Sequence, residues 1–320
     1  MSVLISSAGR RTSLVEAFIE ACHPEQRVIA ADVDALAPAL FVADEAVVVP
    51  SLDHPDFLDY MLEACARYDV KVVVPTIDTE LMLFARNRDR FAKVGVVPLV
   101  SSETLIEMTM SKRKTEGAFT PAGIRTPRSW EPTSESRSDL PYEIFVKPDR
   151  GSASAHTYST TPEHLMAVLP LVPDPIVQEK INAVEVTVDA LLDPGGVLIH
   201  LVPRLRLKTV GGESVQGVTT SDQPIRVWLS RVFDVVAGLG GWGPMTVQLF
   251  LTDPAPTLVE VNPRFGGGFP LAYRAGARYP QWILRMLEGE GLEPCLGGYR
   301  KGLFMTRSLS EHFVDGNWEQ

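Results

Sequence analysis

The stretch Thr257-Leu-Val-Glu-Val-Asn-Pro-Arg-Phe-Gly-Gly-Gly268 decides how this chain is read. Its apolar run predicts a strand that carries Glu260 and Asn262 two residues apart. Strand side chains alternate faces, so these two point the same way. Arg264 and three glycines follow. A carboxylate beside an amide oxygen, with a guanidinium close behind, suits a metal that bridges phosphate oxygens. The expectation is phosphoryl chemistry on a nucleotide. Working outward, Met245-Thr-Val-Gln-Leu-Phe250 reads as a partner strand across the turn Thr252-Asp-Pro-Ala-Pro256, which brings Gln248 to the same site. Gln248, Glu260 and Asn262 are oxygen donors, as Mg²⁺ held partly by substrate phosphates prefers. The six histidines are scattered, and no histidine–cysteine set suits zinc.

Further upstream, Phe145-Val-Lys-Pro-Asp-Arg-Gly-Ser-Ala-Ser154 ends an apolar strand on Lys147 and opens into a small-residue loop. A strand-borne lysine reaches phosphate oxygens at low entropic cost, and loop amides can cover the outer phosphates. Ser111-Lys-Arg-Lys-Thr115 begins a helical pattern and offers a second phosphate lysine. Register leaves Lys112 and Lys114 as alternatives there. Ile176-Val-Gln-Glu-Lys-Ile181 is a strand that turns polar, suited to a base edge, with Glu179 or Glu185 taking a ribose hydroxyl. Glu185, Thr187 and Asp189 share a face by period two, and Asp189 otherwise reads as a surface acid near a turn. Val202-Pro-Arg-Leu-Arg-Leu-Lys208 sets Arg204, Arg206 and Lys208 on one face. Three like charges repel unless an anion lies among them, so an anion site is expected, with Arg204 and Arg206 interchangeable. Gly211-Gly-Glu-Ser214 reads as a mobile loop beside it.

Composition bounds the rest. The chain has 320 residues, enough for two or three domains with their own cores; 45% are hydrophobic and 22% charged. A net charge of −10 with scattered arginines argues against a nucleic-acid partner. The cysteines Cys22, Cys65 and Cys295 form no CxxC pair, and the first two fall in apolar helical patterns that predict buried thiols. The N-terminal apolar run is too short for a leader or a membrane span, so the expected compartment is the cytoplasm. Strands at 3–5, 28–31, 46–49, 70–74 and 94–98, spaced by helices such as 14–22 and 57–66, predict an open parallel α/β sheet. Residues 110–181 read as a small α+β unit, with strands at 144–147 and 176–178 and a short helix at 163–169. From Glu185 the pattern turns antiparallel, with a hairpin across Asp193-Pro-Gly-Gly196 and helices at 227–239 and 282–287. At strand ends, Ser6-Ser-Ala-Gly-Arg-Arg11 can present amides to an anion. It lacks dinucleotide glycine spacing, and Gly9 and Asp32 equally suit a turn and a cap. Pro75-Thr-Ile-Asp-Thr-Glu80 could hold an ammonium through Asp78 and Glu80, or open a helix with an acidic first turn.

In that order the parts resemble the ATP-grasp superfamily, specifically short proteins similar to the synthetase domain of the carbamoyl-phosphate synthase large subunit. Glu260-Val-Asn-Pro-Arg-Phe-Gly266 is similar to its magnesium strand, and nearly the whole chain takes part. The resemblance implies a Rossmann-like pre-ATP-grasp α/β domain over 1–108, a linker helix and α+β lid over 109–182, and an antiparallel catalytic subdomain over 183–320. It implies ATP held by Lys112, Lys147, the loop Gly151, Ser152, Ala153 and Ser154, the run Gln178, Glu179, Lys180 and Ile181, and Glu185. Two Mg²⁺ ions would bind Glu260, Gln248 and Asn262, with Mn²⁺ able to substitute. Arg206, Arg264 and Arg204 would neutralise charge during transfer. Arg10, Arg11, Asp78, Glu80, Lys208, Gly266 and Gly267 would face the substrates.

The implied activity is an ADP-forming carboxylate–amine ligase on small amino acid or specialised-metabolite substrates, working through an acyl phosphate, with a homodimer as the implied assembly. Two alternatives stay open. One is an enzyme that stops at an acyl or carbamoyl phosphate; the other is a non-catalytic nucleotide-binding protein. The chain carries one synthetase-like unit, with no glutaminase segment and no biotin carrier.

Overall fold

Branched apolar runs alternating with helical stretches fold over the first hundred residues as that alternation predicts. The computed structural model describes residues 2–131, 140–151 and 155–313. Two compact units are present: 1–76 with 88–99 and 305–320, and 77–87 with 100–304. Residues 77–87 and 100–108 therefore pack with the second unit, although a boundary at 108 is the sequence expectation.

The first unit holds β1 (Ser2–Ser6), α1 (Thr12–Ala21), β2 (Val28–Asp32), β3 (Glu45–Val48), α2 (Phe57–Arg67) and β4 (Val70–Pro75). The next helix, α3 (Asp78–Arg86), belongs to the second unit. The chain then contributes α4 (Arg88–Lys93) and β5 (Val97–Pro98) to the first. The sheet is parallel in the order β3–β2–β1–β4–β5. Val3, Leu4, Ile5, Ile29, Ala30, Val72 and Val73 have no exposure, as both-face burial of a parallel sheet demands. The last strand is shorter than the expected 94–98. The amide of Val94 still bonds back to Phe91, and Gly95 takes φ +74, so the preceding helix ends where the strand is expected to begin. At the strand ends, Asp32 Oδ2 accepts from the Gly9 amide at 2.7 Å and Oδ1 from Asp34 at 3.0 Å. The carboxylate serves as a cap. Cys65 is buried with its thiol pushed up to about 12; Cys22 is only half-buried, short of the burial its helical pattern suggests.

In the second unit, α5 (Glu103–Met110) and α6 (Lys112–Phe119) precede a small antiparallel sheet of β6 (Ser129–Trp130), β7 (Ile144–Pro148), β8 (Tyr158–Thr160) and β9 (Pro175–Glu179), ordered β6–β9–β7–β8. One face of it packs Ile144, Val146 and Val177 with Leu165 of α7 (Leu165–Val168) and with Val172. Period two therefore turns Phe145 and Lys147 to the other face.

The larger sheet holds β10 (Val184–Leu192), β11 (Leu198–Val210), β12 (Glu213–Thr219), β13 (Gly243–Leu251) and β14 (Thr257–Asn262), with neighbours in the order β14–β13–β10–β11–β12. Val186, Val188, Leu201, Val247, Leu249, Leu258 and Val261 form its core face against Trp228, Leu229, Val232 and Val236 of α8 (Arg226–Gly238). α9 (Phe269–Ala275) and α10 (Tyr279–Leu287) complete the unit. Among the described residues no helix is long and apolar enough to cross a membrane.

His200 of β11 has no exposure and lies edge-on to Tyr279, Trp282 and Tyr299. Its Nδ1 is 3.2 Å from the Tyr279 hydroxyl. Burial lowers its pKa from 6.5 to about 4, with the Gly298 carbonyl and Asp222 opposing. The unfolded chain takes this proton near pH 6.5 and the folded one resists until about pH 4. Stability is therefore expected to fall across that window, by about 3 kcal/mol from this residue. Urea unfolding of wild type and His200→Gln between pH 7 and 4.5 checks this; equal pH slopes in the two proteins would contradict it.

Candidate functional site

Residues directly opposite in the large sheet share a face. Gln248 lies opposite Glu260, Thr246 opposite Asn262, and Thr187 opposite both Gln248 and Arg204. The face away from α8 thus carries Gln248, Glu260 and Asn262 together. Asn262 Nδ2 donates to Glu260 Oε1 at 2.9 Å. A cavity of ≈ 290 Å³ in the second unit is lined by Asp78, Lys112, Arg150, Gly151, Glu260 and Asn262, among others.

Two lysines lie within the field of Glu260. Lys112 Nζ donates to the carbonyls of Asp149 at 3.1 Å and Gly151 at 3.3 Å. Burial lowers its pKa, while Glu260, Asp149 and Asp78 oppose that. Lys147 is pushed down to about 8, mostly by loss of water around the ammonium and then by repulsion from Lys112, with Glu260 opposing. Lys114, the register alternative, pairs instead with Glu107. Gly151 is described, while Ser152, Ala153 and Ser154 lie outside the described residues.

The arginines behave differently, since each has a carboxylate of its own. Arg204, 3% exposed, donates through Nε to Asp189 Oδ2 at 2.8 Å. Asp189 is itself 1% exposed, which corrects its reading as a surface acid. Arg206 pairs with Glu185 and donates to the Gly212 carbonyl at 2.7 Å. Arg264 donates to both oxygens of Asp78, at 2.7 and 2.5 Å. The anions that the cationic stretch requires thus come from the protein. Lys208 is exposed beyond a register shift in β11. Gly266 and Gly268 are close approaches. A Cβ at Gly266 would lie 2.6 Å from Thr246 Oγ1, and one at Gly268 2.3 Å from Arg204 Cζ. Gly267 sits between them.

Other predicted residues have settled partners. Glu179 Oε1 accepts from the Arg128 amide at 3.0 Å and from Arg125 at 3.3 Å. Gln178 donates to Ser129 Oγ at 3.0 Å, Lys180 to Glu143 at 2.8 Å, and Ile181 is half-buried. Glu80 is buried and accepts from the Ile77 amide at 3.4 Å, inside its own helix start. Arg10 is exposed and Arg11 half-buried in the first unit. The cavity also recruits Thr79, Leu81, Thr109 and Met110, which the motif reading did not single out. The acidic start of α3 is the signal that could have found the first two.

The donor set fits magnesium in a specific way. Among the described residues no cluster of three or more His, Cys, Asp or Glu could hold a metal. One carboxylate with two amide oxygens is a poor cage alone, but it suits an ion that keeps phosphate oxygens among its ligands.

A parallel α/β sheet, a small antiparallel lid sheet and a large antiparallel sheet with its functional face opposite α8 define the architecture. The chain has the ATP-grasp fold. Residues 3–100 match the family profile described as PylC-like, N-terminal domain, and residues 172–300 match that of an ATP-grasp in the biosynthetic pathway with Ter operon. Neither match spans half of the chain. Among solved structures, the biotin carboxylase domain of Hydrogenobacter thermophilus 2-oxoglutarate carboxylase, in complex with MgADP, ADP and bicarbonate, superposes with TM-score 0.75 at 17% identity, covering 95% of this chain and 73% of that one. Campylobacter jejuni biotin carboxylase, complexed with a β,γ-ATP ligand, gives 0.75 at 14% over 95% and 74%. The L-amino acid ligase of Bacillus licheniformis gives 0.69 at 19% over 90% and 74%. At these identities the likeness establishes the fold alone. No curated protein sequence matches the chain.

Two outcomes are expected from this geometry. Gly268→Ala should destabilise the protein by about 1–3 kcal/mol, because its Cβ meets a buried guanidinium. Gly117→Ala in α6, with nothing within 4 Å, should be neutral or stabilising. Denaturant midpoints compare them, and equal effects would contradict the packing argument. With its pKa lowered to about 8 by burial, Lys147 loses charge progressively as pH rises past that value. ADP affinity should therefore decline above pH 8, by up to about tenfold per unit, and Lys147→Met should flatten the profile. Calorimetric titrations at pH 7 and 9.5 decide this; an unchanged wild-type constant would count against it.

Proposed function

We propose that the protein is an ATP-dependent, ADP-forming carboxylate–amine ligase acting on small substrates. The observation that carries this reading is a cavity of ≈ 290 Å³ lined by Lys112, Glu260 and Asn262, with Lys147 near enough for its charge to be felt by Lys112 and Glu260. Lys112 Nζ donates to two backbone carbonyls rather than to a carboxylate, so its charge is available to a polyphosphate. The cavity is small, which favours an amino acid or small acid over a polymer. The L-amino acid ligase among the structural relatives lends the amide-forming class.

In this mechanism Lys112 and Lys147 bind the phosphates. Gln248, Glu260 and Asn262 would hold magnesium, which when bound supplies positive charge on the phosphate oxygens. The substrate carboxylate attacks the γ-phosphorus. The bond from that phosphorus to the ADP oxygen breaks, leaving an acyl phosphate and ADP. Arg264, beside the metal strand, offers N–H groups to the oxygens where charge develops. The amine then attacks the acyl carbon, loses a proton and expels phosphate, giving the amide. No protein nucleophile takes part, so positioning and electrostatics carry the rate.

The test is ADP and phosphate release from MgATP with pools of amino acids and small carboxylates, with hydroxylamine present to trap the acyl phosphate. ADP, phosphate and a hydroxamate are expected with the right pool. Glu260→Ala should lose about 100-fold or more of that turnover. AMP and pyrophosphate as products would refute the ADP-forming route.

A further inference from the structure

Arg264 carries five N–H groups in a planar fork. Nε donates to Asp78 Oδ1 at 2.7 Å, Nη2 to Asp78 Oδ2 at 2.5 Å, and Nη1 to the Phe265 carbonyl at 3.1 Å. Three of the five are thereby engaged, all on protein atoms. Among the described residues, one N–H on Nη1 and one on Nη2 have no protein acceptor. The backbone of Arg264 is also fixed, since its amide donates to the Asn262 carbonyl at 2.8 Å and its carbonyl accepts from Thr246 Oγ1 at 3.1 Å. The side chains of the pair are only 12% and 22% exposed. Asp78 is the first residue of α3 and lines the same cavity as Glu260 and Asn262.

We infer that Asp78 is a positioning residue for Arg264: its carboxylate clamps the Nε–Nη2 edge so that the free donors on Nη1 and Nη2 serve a transferring phosphoryl group. This inference rests on the ligase reading. Each Asp78 oxygen accepts one hydrogen bond from Arg264, whereas the sequence suggests an ammonium partner or an acidic helix start. A two-point pair fixes a guanidinium in plane and in direction, which a single contact does not. The pair is neutral as a unit. It contributes geometry at the reacting centre, while the attraction for polyphosphate comes from Lys112 and Lys147. Arg204 and Arg206 do not offer the same arrangement: the first is held at Nε alone beneath Gly268, and the second spans Glu185 and the Gly212 carbonyl.

Asp78→Asn, Asp78→Glu, Arg264→Met and the double variant Asp78→Asn/Arg264→Met test this, with kcat for ADP release and the ADP dissociation constant measured on each full-length protein. Asp78→Asn should lower kcat about 10- to 100-fold while ADP affinity stays within about threefold. Asp78→Glu should recover part of the loss. The Asp78 change should cost nothing further in the Arg264→Met background, because its effect passes through that arginine. An unchanged kcat in Asp78→Asn, or additive losses in the double variant, would overturn the positioning role while leaving the ligase reading intact. A wild type that releases no ADP with any acceptor would overturn both.

Discussion

Two desolvated ammoniums, close enough to repel each other and both within the field of Glu260, set the terms for the rest of this molecule. Lys112 and Lys147 each lose water around their charge; Glu260 offsets this for both, and Asp149 and Asp78 do so for Lys112 as well. A folded protein tolerates such an imbalance where an anionic ligand completes it. The surrounding arginines make the contrast plain. Arg204, Arg206 and Arg264 are each matched by a carboxylate, so they arrive oriented and locally neutral. On the proposed reading, attraction falls to the lysines and orientation to the arginines, as their chemistries favour.

The division depends on strand periodicity. Along β10 and β13 every second residue enters the core against α8; in β14 a register shift puts Leu258 and Val261 in the core, three apart, and Glu260 and Asn262 stay on the polar face. A one-residue slip between β13 and β14 would bury Glu260 and expose Val261. The core therefore enforces the register that brings Gln248 opposite Glu260. The glycines after β14 extend this constraint: Gly266 and Gly268 let the chain settle onto Thr246 and Arg204, where a side chain would not fit.

Much of this was legible in the residues. Alternation located β13, β14 and their hairpin, and the apolar runs located the parallel sheet. Glu260 and Asn262 shared a face for the same reason. Partner choice was less legible, because it depends on contacts between distant segments. Asp78 and Arg264 are 186 residues apart, and neither sequence context names the other. Asp189 read as a surface acid because period two gives its face but not what covers that face. Lys112 and Lys114 were indistinguishable until the ion pair of Lys114 with Glu107 separated them. The start of β5 was placed too early because Gly95 prolongs a helical ending that composition alone does not mark.

The central claim is that Gln248, Glu260 and Asn262 form half of a metal site whose other half is a polyphosphate brought in by the two lysines. Counting Mn²⁺ bound to the protein by electron paramagnetic resonance, with and without ADP, tests that claim most directly. The account predicts weak binding of the ion alone and much tighter binding once ADP is present, with Glu260→Gln abolishing the gain. Tight Mn²⁺ binding without nucleotide, or a gain that survives loss of the carboxylate, would contradict it.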